Sequence, residues 1–280
     1  MGKIIDCVSI AQKIKDEVKH EIQELGIKPC LAVVLVGDNP ASQVYVRNKE
    51  KVCNEVGIDS KVVHTHGDIS QSELETIVKQ LNNDCNVHGI LVQLPLPSHL
   101  NEQKIIDLIN PHKDVDGLTI HNQGLLALGR IDEAVIPCTP AGVIRIFDEI
   151  GYDLEGKDVA VVGRSNLFGK PMGQLILSRN GSPIMLHSKS SWTQAYTHIS
   201  DVVICAVGKP KMFDIDYFNS PSVIIDVGIN RDENGKLCGD VDLEDVIDVV
   251  GQITPVPRGV GVITTAMLLK NVVKCIKLSK

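Results

Sequence analysis

Short apolar runs alternate along the chain with longer amphipathic stretches, and the turns between them are rich in Gly, Pro, Asn and Asp. Leu31 to Val36 is an unbroken apolar run of strand length, stopped by Gly37-Asp38-Asn39-Pro40. Ala41 to Val56 then reads as a helix ending at Gly57, and Lys61 to Thr65 as a second strand. Ser70-Gln71-Ser72-Glu73 has the spacing of a capping box, in which a hydroxyl and a carboxylate satisfy each other's backbone amides; a helix is predicted from there to about Leu81. Val87 to Gln93 supplies a third strand. Leu94-Pro95-Leu96-Pro97 stops it, because proline has no N–H to donate and constrains the residue before it. This strand-helix-strand rhythm predicts a parallel sheet, whose ligand sites lie beyond the carboxyl ends of the strands, and it places Gln93 at such an end. Asn101 to Ile109 reads as a short helix, and Pro111 to Gly117 as a polar loop.

The rhythm resets in the second half. Thr139 is a plausible helix cap with Pro140 in the first turn. From Lys157 the expected order is strand Asp158 to Val162, helix Pro171 to Arg179, and strands Pro183 to Leu186, Asp201 to Ala206 and Val223 to Val227. The boundary falls near Cys138 to Gly142, giving an α/β protein of two domains, residues 1–139 and 140–261. Gly261 to Ile276 reads as a long helix that returns to complete the first domain with residues 262–280.

With 280 residues, 43% of them hydrophobic, the chain is long enough for two moderate cores. Its net charge of −7 argues against unspecific nucleic-acid binding while leaving room for a local anion site. Met1 to Asp6 lacks the charged start and apolar core of a secretion signal, and no apolar run is long enough to cross a bilayer, so a cytoplasmic location is the default. The 8 cysteines are scattered without a CxxC pair or a clustered His/Cys array; they read as reduced core residues, and no metal is expected.

Chemistry concentrates at three places. In the helix after the first strand, Tyr45 and Lys49 are four residues apart and so share a face, which brings an aromatic ring beside a titratable amine. The run Val161-Val162-Gly163-Arg164-Ser165-Asn166-Leu167-Phe168-Gly169-Lys170-Pro171 puts a glycine directly after an apolar strand and before a helix, a setting for a diphosphate, although it is neither a GxGxxG nor a Walker loop. The next strand ends in Leu186-His187-Ser188-Lys189-Ser190 without the carboxylate that would accept ribose hydroxyls. Ser188, Lys189 and Arg164 can instead receive a ribose phosphate, which leans toward NADP over NAD. Ala206-Val207-Gly208-Lys209-Pro210 and Asp226-Val227-Gly228-Ile229-Asn230 repeat the glycine turn, with Gly208 and Gly228 expected to let a cofactor approach main chain and Ile229 to offer it an apolar wall.

Together, Tyr45 to Lys49, Val92-Gln93-Leu94-Pro95-Leu96-Pro97, Lys113-Asp114-Val115-Asp116-Gly117, Pro137-Cys138-Thr139-Pro140, Gly163-Arg164-Ser165 and Ile253-Thr254-Pro255-Val256-Pro257 closely resemble the bifunctional methylenetetrahydrofolate dehydrogenase/methenyltetrahydrofolate cyclohydrolase (FolD) family, over essentially the whole chain. The resemblance implies a folate-side domain and a Rossmann-like NADP domain with the active cleft at their junction, usually in a homodimer. It implies oxidation of 5,10-methylenetetrahydrofolate by NADP, hydrolysis of the 5,10-methenyl product to 10-formyltetrahydrofolate, and a link to purine biosynthesis.

By the same resemblance Lys49 assists water attack and proton transfer in the hydrolysis, and Gln93 orients Lys49 or bonds the pterin. Tyr45 stacks beside the pterin, Asp116 accepts its N–H groups, and Pro257 and Gly259 lie on the substrate side. Gly163, Arg164, Ser165, Ser188 and Ile229 are the expected cofactor contacts. The family's Thr-Pro-Val-Pro motif commonly continues Gly-Gly-Val-Gly-Pro, whereas this chain has Arg258-Gly259-Val260-Gly261-Val262, which is expected to alter folate affinity. Two rival readings differ in one feature each: a dehydrogenase with weak cyclohydrolase activity accumulates methenyl intermediate, and a noncatalytic folate or nucleotide sensor binds without turnover. The presence of both Lys49 and Gln93 argues against each.

Overall fold

The computed structural model describes residues 2–279; Met1 and Lys280, the ends of the expected first domain and of its carboxyl-terminal completion, lie outside the described residues. The strands are β1 (Lys3–Ile4), β2 (Cys30–Val36), β3 (Asp59–Thr65), β4 (Gly89–Val92), β5 (Asp158–Val162), β6 (Ser182–Leu186), β7 (Val202–Cys205), β8 (Val223–Asp226), β9 (Asn230–Arg231), β10 (Leu237–Cys238) and β11 (Gln252–Ile253). The helices are α1 (Cys7–Leu25), α2 (Pro40–Val56), α3 (Gln71–Asn83), α4 (Glu102–Asp107), α5 (Ile120–Ala127), α6 (Cys138–Ile150), α7 (Gly169–Ser178), α8 (Thr193–Ile199), α9 (Leu243–Val246) and α10 (Val260–Leu278). Contacts divide the chain into two compact units: Lys13–Cys138 with the stretch from Thr265 onward, and Thr139–Thr264 with the stretch up to Gln12. None of the described helices is long and apolar enough to cross a membrane.

The first of these units is built on a parallel sheet of order β3-β2-β4. Central β2 is covered on both faces, which is why its sequence is apolar throughout rather than alternating. Edge strand β3 keeps several of its residues exposed. Asn39 caps α2 by accepting from the amides of Ala41 and Ser42, and the Ser70/Glu73 capping box is present at the start of α3. Val34, Leu74, Val78, Ile90 and Ile105 meet in one core. On α10, Leu269, Val272, Val273 and Ile276 are buried, and Lys270 pairs with Glu17 of α1 at 2.7 Å. From Thr265 onward α10 groups with this unit, while its first residues, Val260–Thr264, group with the second.

The second unit carries a six-stranded sheet of order β1-β11-β8-β7-β5-β6, parallel throughout. Chain order puts β6 on one side of β5 and β7 on the other, so the strand order reverses between β5 and β7. In an open parallel sheet such a switch point opens a crevice at the carboxyl ends of the strands. Val162, Val203, Cys205, Phe213 and Ile224 form part of its core.

Several elements differ from expectation. Residues up to Gln12 group with the second unit, where residues 1–139 are expected to form the first, because Lys3 and Ile4 pair with Gln252 and Ile253. A two-residue strand is too short for periodicity to register. Pro111–Lys113 is a 3-10 turn rather than a plain loop, and the Lys113 amine pins it by donating to the carbonyls of Asn82 and Asp84, each at 2.8 Å. α6 begins at Cys138, so Thr139 lies inside its first turn; there its hydroxyl oxygen accepts from the hydroxyl of Thr264 at 3.1 Å. α7 begins at Gly169, two residues before the expected Pro171. Helices α1, α5, α8 and α9 and strands β9, β10 and β11 fall outside the expected set.

Candidate active site

In the first unit, the strand order reverses between β2 and β4, and the strongest polar pairing of the expected residues sits there. Gln93 follows β4 directly, its amide N–H held by the Val34 carbonyl at 2.9 Å. Its side-chain Nε2 donates to the Leu94 carbonyl at 2.8 Å, which leaves Oε1 to accept from Lys49 Nζ at 3.0 Å. The hydrogen-bond pattern therefore fixes which way the amide faces. Lys49 is partly buried on α2, and Tyr45, one turn earlier on the same helix, is 51% exposed with its ring open to a ligand.

Asp116 is the third member of this cluster. It is partly buried, and burial pushes its carboxyl above the ordinary carboxylate range while the nearby Lys49 charge pulls the other way. The loop bearing it is fixed from both flanks by buried polar groups that the sequence reading does not single out for this purpose. Upstream, the Asp114 carboxylate accepts from the Thr119 amide at 2.8 Å and from Asn122 Nδ2 at 2.9 Å, and Asn122 Oδ1 accepts from the Val135 amide at 3.0 Å. Downstream, Asn271 of α10 donates to the carbonyls of Val115 and Ile136, each at 2.8 Å. The Cys138 thiol approaches Asp116 Oδ1 at 3.9 Å, and burial raises it well above the usual thiol range, so it acts as a donor rather than a nucleophile. Lys49, Gln93 and Asp116 are thus brought together; Tyr45 shares the helix face of Lys49.

The expected cofactor residues all belong to the second unit. Gly163 follows β5 at the switch point with φ +151, and a Cβ there would meet the Ala206 carbonyl oxygen at 2.6 Å, so only glycine fits. Arg164 and Ser165 are exposed in the turn that follows, and Ser165 Oγ accepts from the Phe168 amide at 3.1 Å to close it. α7 starts immediately afterwards; its capping residue Phe168 offers no side-chain acceptor, the Lys170 amide donates to the Ser165 carbonyl at 3.1 Å and Pro171 has no N–H, so in the first turn it is the Gly169 amide that is left to a ligand. Ser188 and Lys189 are exposed at the tip of the turn after β6, which Ser190 Oγ and His187 Nδ1 hold by accepting from the amides of His187 and Lys189. Ile229 is 54% exposed, an apolar surface of the kind expected beside a flat ring. A glycine-tight turn, an uncapped helix start, two cations and a serine without a ribose-binding carboxylate fit a dinucleotide bearing an extra phosphate.

One expectation takes a different form. The turns at Gly208 and Gly228 do not offer free main chain to a ligand: the amides of Val207, Gly208 and Lys209 all donate to Asp240. Pro257 and Gly259 lie in the second unit, Pro257 exposed and Gly259 buried. Between them Arg258 is exposed with φ +70, a left-handed conformation that suits the glycine it replaces in the family motif.

Comparison with known proteins agrees with both halves. Residues 5–116 match the family model described as tetrahydrofolate dehydrogenase/cyclohydrolase, catalytic domain, and residues 137–280 match its NAD(P)-binding domain. The chain is 47% identical over 277 residues to the bifunctional protein FolD of Bacillus cereus, covering 98% of this chain and 96% of that one. Its fold superposes on the crystal structure of the bifunctional FolD enzyme of Campylobacter jejuni with a TM-score of 0.97, at 43% identity and with 100% of each chain covered. The Trypanosoma brucei dehydrogenase-cyclohydrolase, solved with NADP cofactor and an inhibitor, is similar at a TM-score of 0.93 and 32% identity, covering 99% of this chain and 98% of that one.

Proposed function

Because the chain belongs to the tetrahydrofolate dehydrogenase/cyclohydrolase family, we propose that it oxidises 5,10-methylenetetrahydrofolate with NADP and hydrolyses the methenyl product to 10-formyltetrahydrofolate. The observation that carries the reading is the Lys49 Nζ to Gln93 Oε1 hydrogen bond of 3.0 Å, with Asp116 under the influence of the same lysine. The same reading includes a homodimer working in the cytoplasm on tetrahydrofolate one-carbon derivatives, whose product donates one-carbon units to purine biosynthesis.

Oxidation calls for little acid–base help from the protein. When bound, the nicotinamide accepts the hydride from the one-carbon bridge, so the chain's task is to align the two reactants. Gly163, Ser165 and the start of α7 hold the diphosphate in this reading, Arg164 and Ser188 take the ribose phosphate, and Ile229 covers a ring face. NADP rather than NAD is favoured by those two side chains and by the likeness to the Trypanosoma brucei enzyme, which was solved with NADP.

Hydrolysis is where proton transfer matters. Water oxygen adds to the methenyl carbon, the bond from that carbon to N5 breaks, N5 takes up a proton and one further proton is released. Lys49 lies where it can carry the proton from the attacking water, and Gln93, held by Leu94, fixes the direction of the amine. Tyr45 stacks on the pterin. Asp116 binds it through N–H donors, for which the ionised carboxylate, with acceptors only, is the competent form.

That last assignment sets a pH dependence. A carboxyl titrating above its ordinary range is protonated at a higher pH, so folate binding is expected to weaken as pH falls through that raised value and to be complete above it. KM for 5,10-methylenetetrahydrofolate, measured across pH, is expected to rise on the acid side; in Asp116→Asn the rise disappears and KM is high throughout. A pH-independent KM in the unmodified protein contradicts the role given to Asp116. The reaction as a whole is tested by supplying 5,10-methylenetetrahydrofolate and NADP to the purified protein, where binding of both without turnover contradicts the reading.

A further inference from the structure

One cluster of buried charge lies outside every role assigned so far. Asp240, fully buried, follows β10 in the second unit. Its Oδ2 accepts from the amides of Val207 at 2.6 Å and Gly208 at 3.1 Å, and its Oδ1 from the amide of Lys209 at 2.8 Å and from Asn230 Nδ2 at 2.8 Å. Three successive amides that converge on one point form a concavity suited to an anion. Here the anion is supplied by the chain itself. Asp226 at the end of β8 holds the donor of that anion in turn: its Oδ1 accepts from the amides of Asp240 and Gly228, both at 3.0 Å, and its Oδ2 from the amide of Val241 at 2.9 Å.

We infer that Asp240 is a positioning residue of the dinucleotide site, its carboxylate locking the turn after β7 to the Gly228–Asn230 turn so that both are set before the cofactor arrives. The first turn starts at Ala206, whose carbonyl crowds Gly163 at the switch point. The second contains Ile229, with one neighbour tied to Asp226 and the other to Asp240. Gly228 belongs to the same device: a Cβ there would overlap the Asp240 carboxyl group and meet its amide nitrogen at 2.6 Å, so this glycine makes room for the aspartate rather than for a ligand. Without the carboxylate, three aligned amide dipoles lose their common acceptor and the turns lose their shared register. The inference rests on the reading that this unit binds NADP.

Asp240→Ala in the full chain tests it. KM for NADP is expected to rise by at least about tenfold, while hydrolysis of added 5,10-methenyltetrahydrofolate, which needs no hydride acceptor, stays within about twofold. Added formate, a small carboxylate able to enter the vacated concavity, is expected to recover part of the NADP affinity. A parallel loss of both activities without recovery by formate, or an unchanged KM for NADP, overturns the inference. Should that variant not fold, Asn230→Ala removes one of the four donors to Asp240 and is expected to raise KM for NADP about two- to fivefold, with no change again overturning it. Direct NADP titration of the unmodified protein separates the two claims: no binding there sinks the cofactor reading, whereas normal binding with an unaffected variant sinks only the role of Asp240.

Discussion

Lys49→Ala is expected to slow hydrolysis of 5,10-methenyltetrahydrofolate by about 10²- to 10⁴-fold, the range over which a positioned proton-transfer group acts. The substitution removes the amine that donates to Gln93 Oε1 at 3.0 Å and with it the group placed to relay the water proton. Folate affinity is expected to change far less, because Asp116 keeps the supports on both sides of its loop, Asp114 with Asn122 upstream and Asn271 downstream. Hydride transfer asks for alignment rather than a base, so the dehydrogenase rate is expected to fall less than the hydrolysis rate. Separate assays of the two steps, with folate KM measured in each, check this. Comparable losses in folate binding and in both activities would assign Lys49 a mainly structural part.

Arg164→Ala is expected to raise KM for NADP by about 10- to 100-fold, the loss of one or two hydrogen bonds to a charged phosphate, and to leave KM for NAD within about threefold. Arg164 is exposed in the turn after β5 and Ser188 at the tip of the turn after β6; β5 and β6 are neighbours in register, Val162 beside Leu186. The two side chains therefore rise from adjacent strand ends, on the side of β5 where a ribose-binding carboxylate would otherwise stand. Parallel titrations with the two cofactors measure the split. An equal loss for both would remove Arg164 from the phosphate and place its effect on the turn as a whole.

What the sequence shows of this site follows from how far apart its parts lie. Lys49 and Gln93 belong to one alternating run of strands and helices, β2 through β4, whose apolar stretches and proline stop are plain in the order of residues, so their meeting at strand ends is legible. The Gly163 turn is legible for the same reason, an apolar strand followed at once by glycine. Asp240 is not. It acts on amides more than thirty residues away through an acceptor geometry that composition does not display, and Gly208 and Gly228 accordingly read as cofactor glycines when one is held by Asp240 and the other makes room for it. A glycine announces close approach but not what approaches. The acid that ends the apolar strand Val223–Asp226, followed two residues later by Gly228, is the available hint of buried carboxylates there.

Fold legibility divides in the same way. Long amphipathic segments such as α2, α3 and α10 are recovered within a few residues, since capping side chains and buried faces fix them locally. β1 is not, because its two residues acquire meaning only beside β11 from the far end of the chain. Arg258 stands between these cases. The motif around it marks the position, and its left-handed backbone explains why glycine suits it, but the side chain's effect on folate belongs to binding measurements.

The most direct measurement is a single time course with 5,10-methylenetetrahydrofolate and NADP in which NADPH, 5,10-methenyltetrahydrofolate and 10-formyltetrahydrofolate are followed together. The expected result is NADPH formed in step with the sum of the two folate products, with methenyl intermediate rising briefly and then giving way to the formyl product. Sustained methenyl accumulation at a normal rate of NADPH formation, or ligand binding without NADPH, would contradict the assignment of both reactions to this chain.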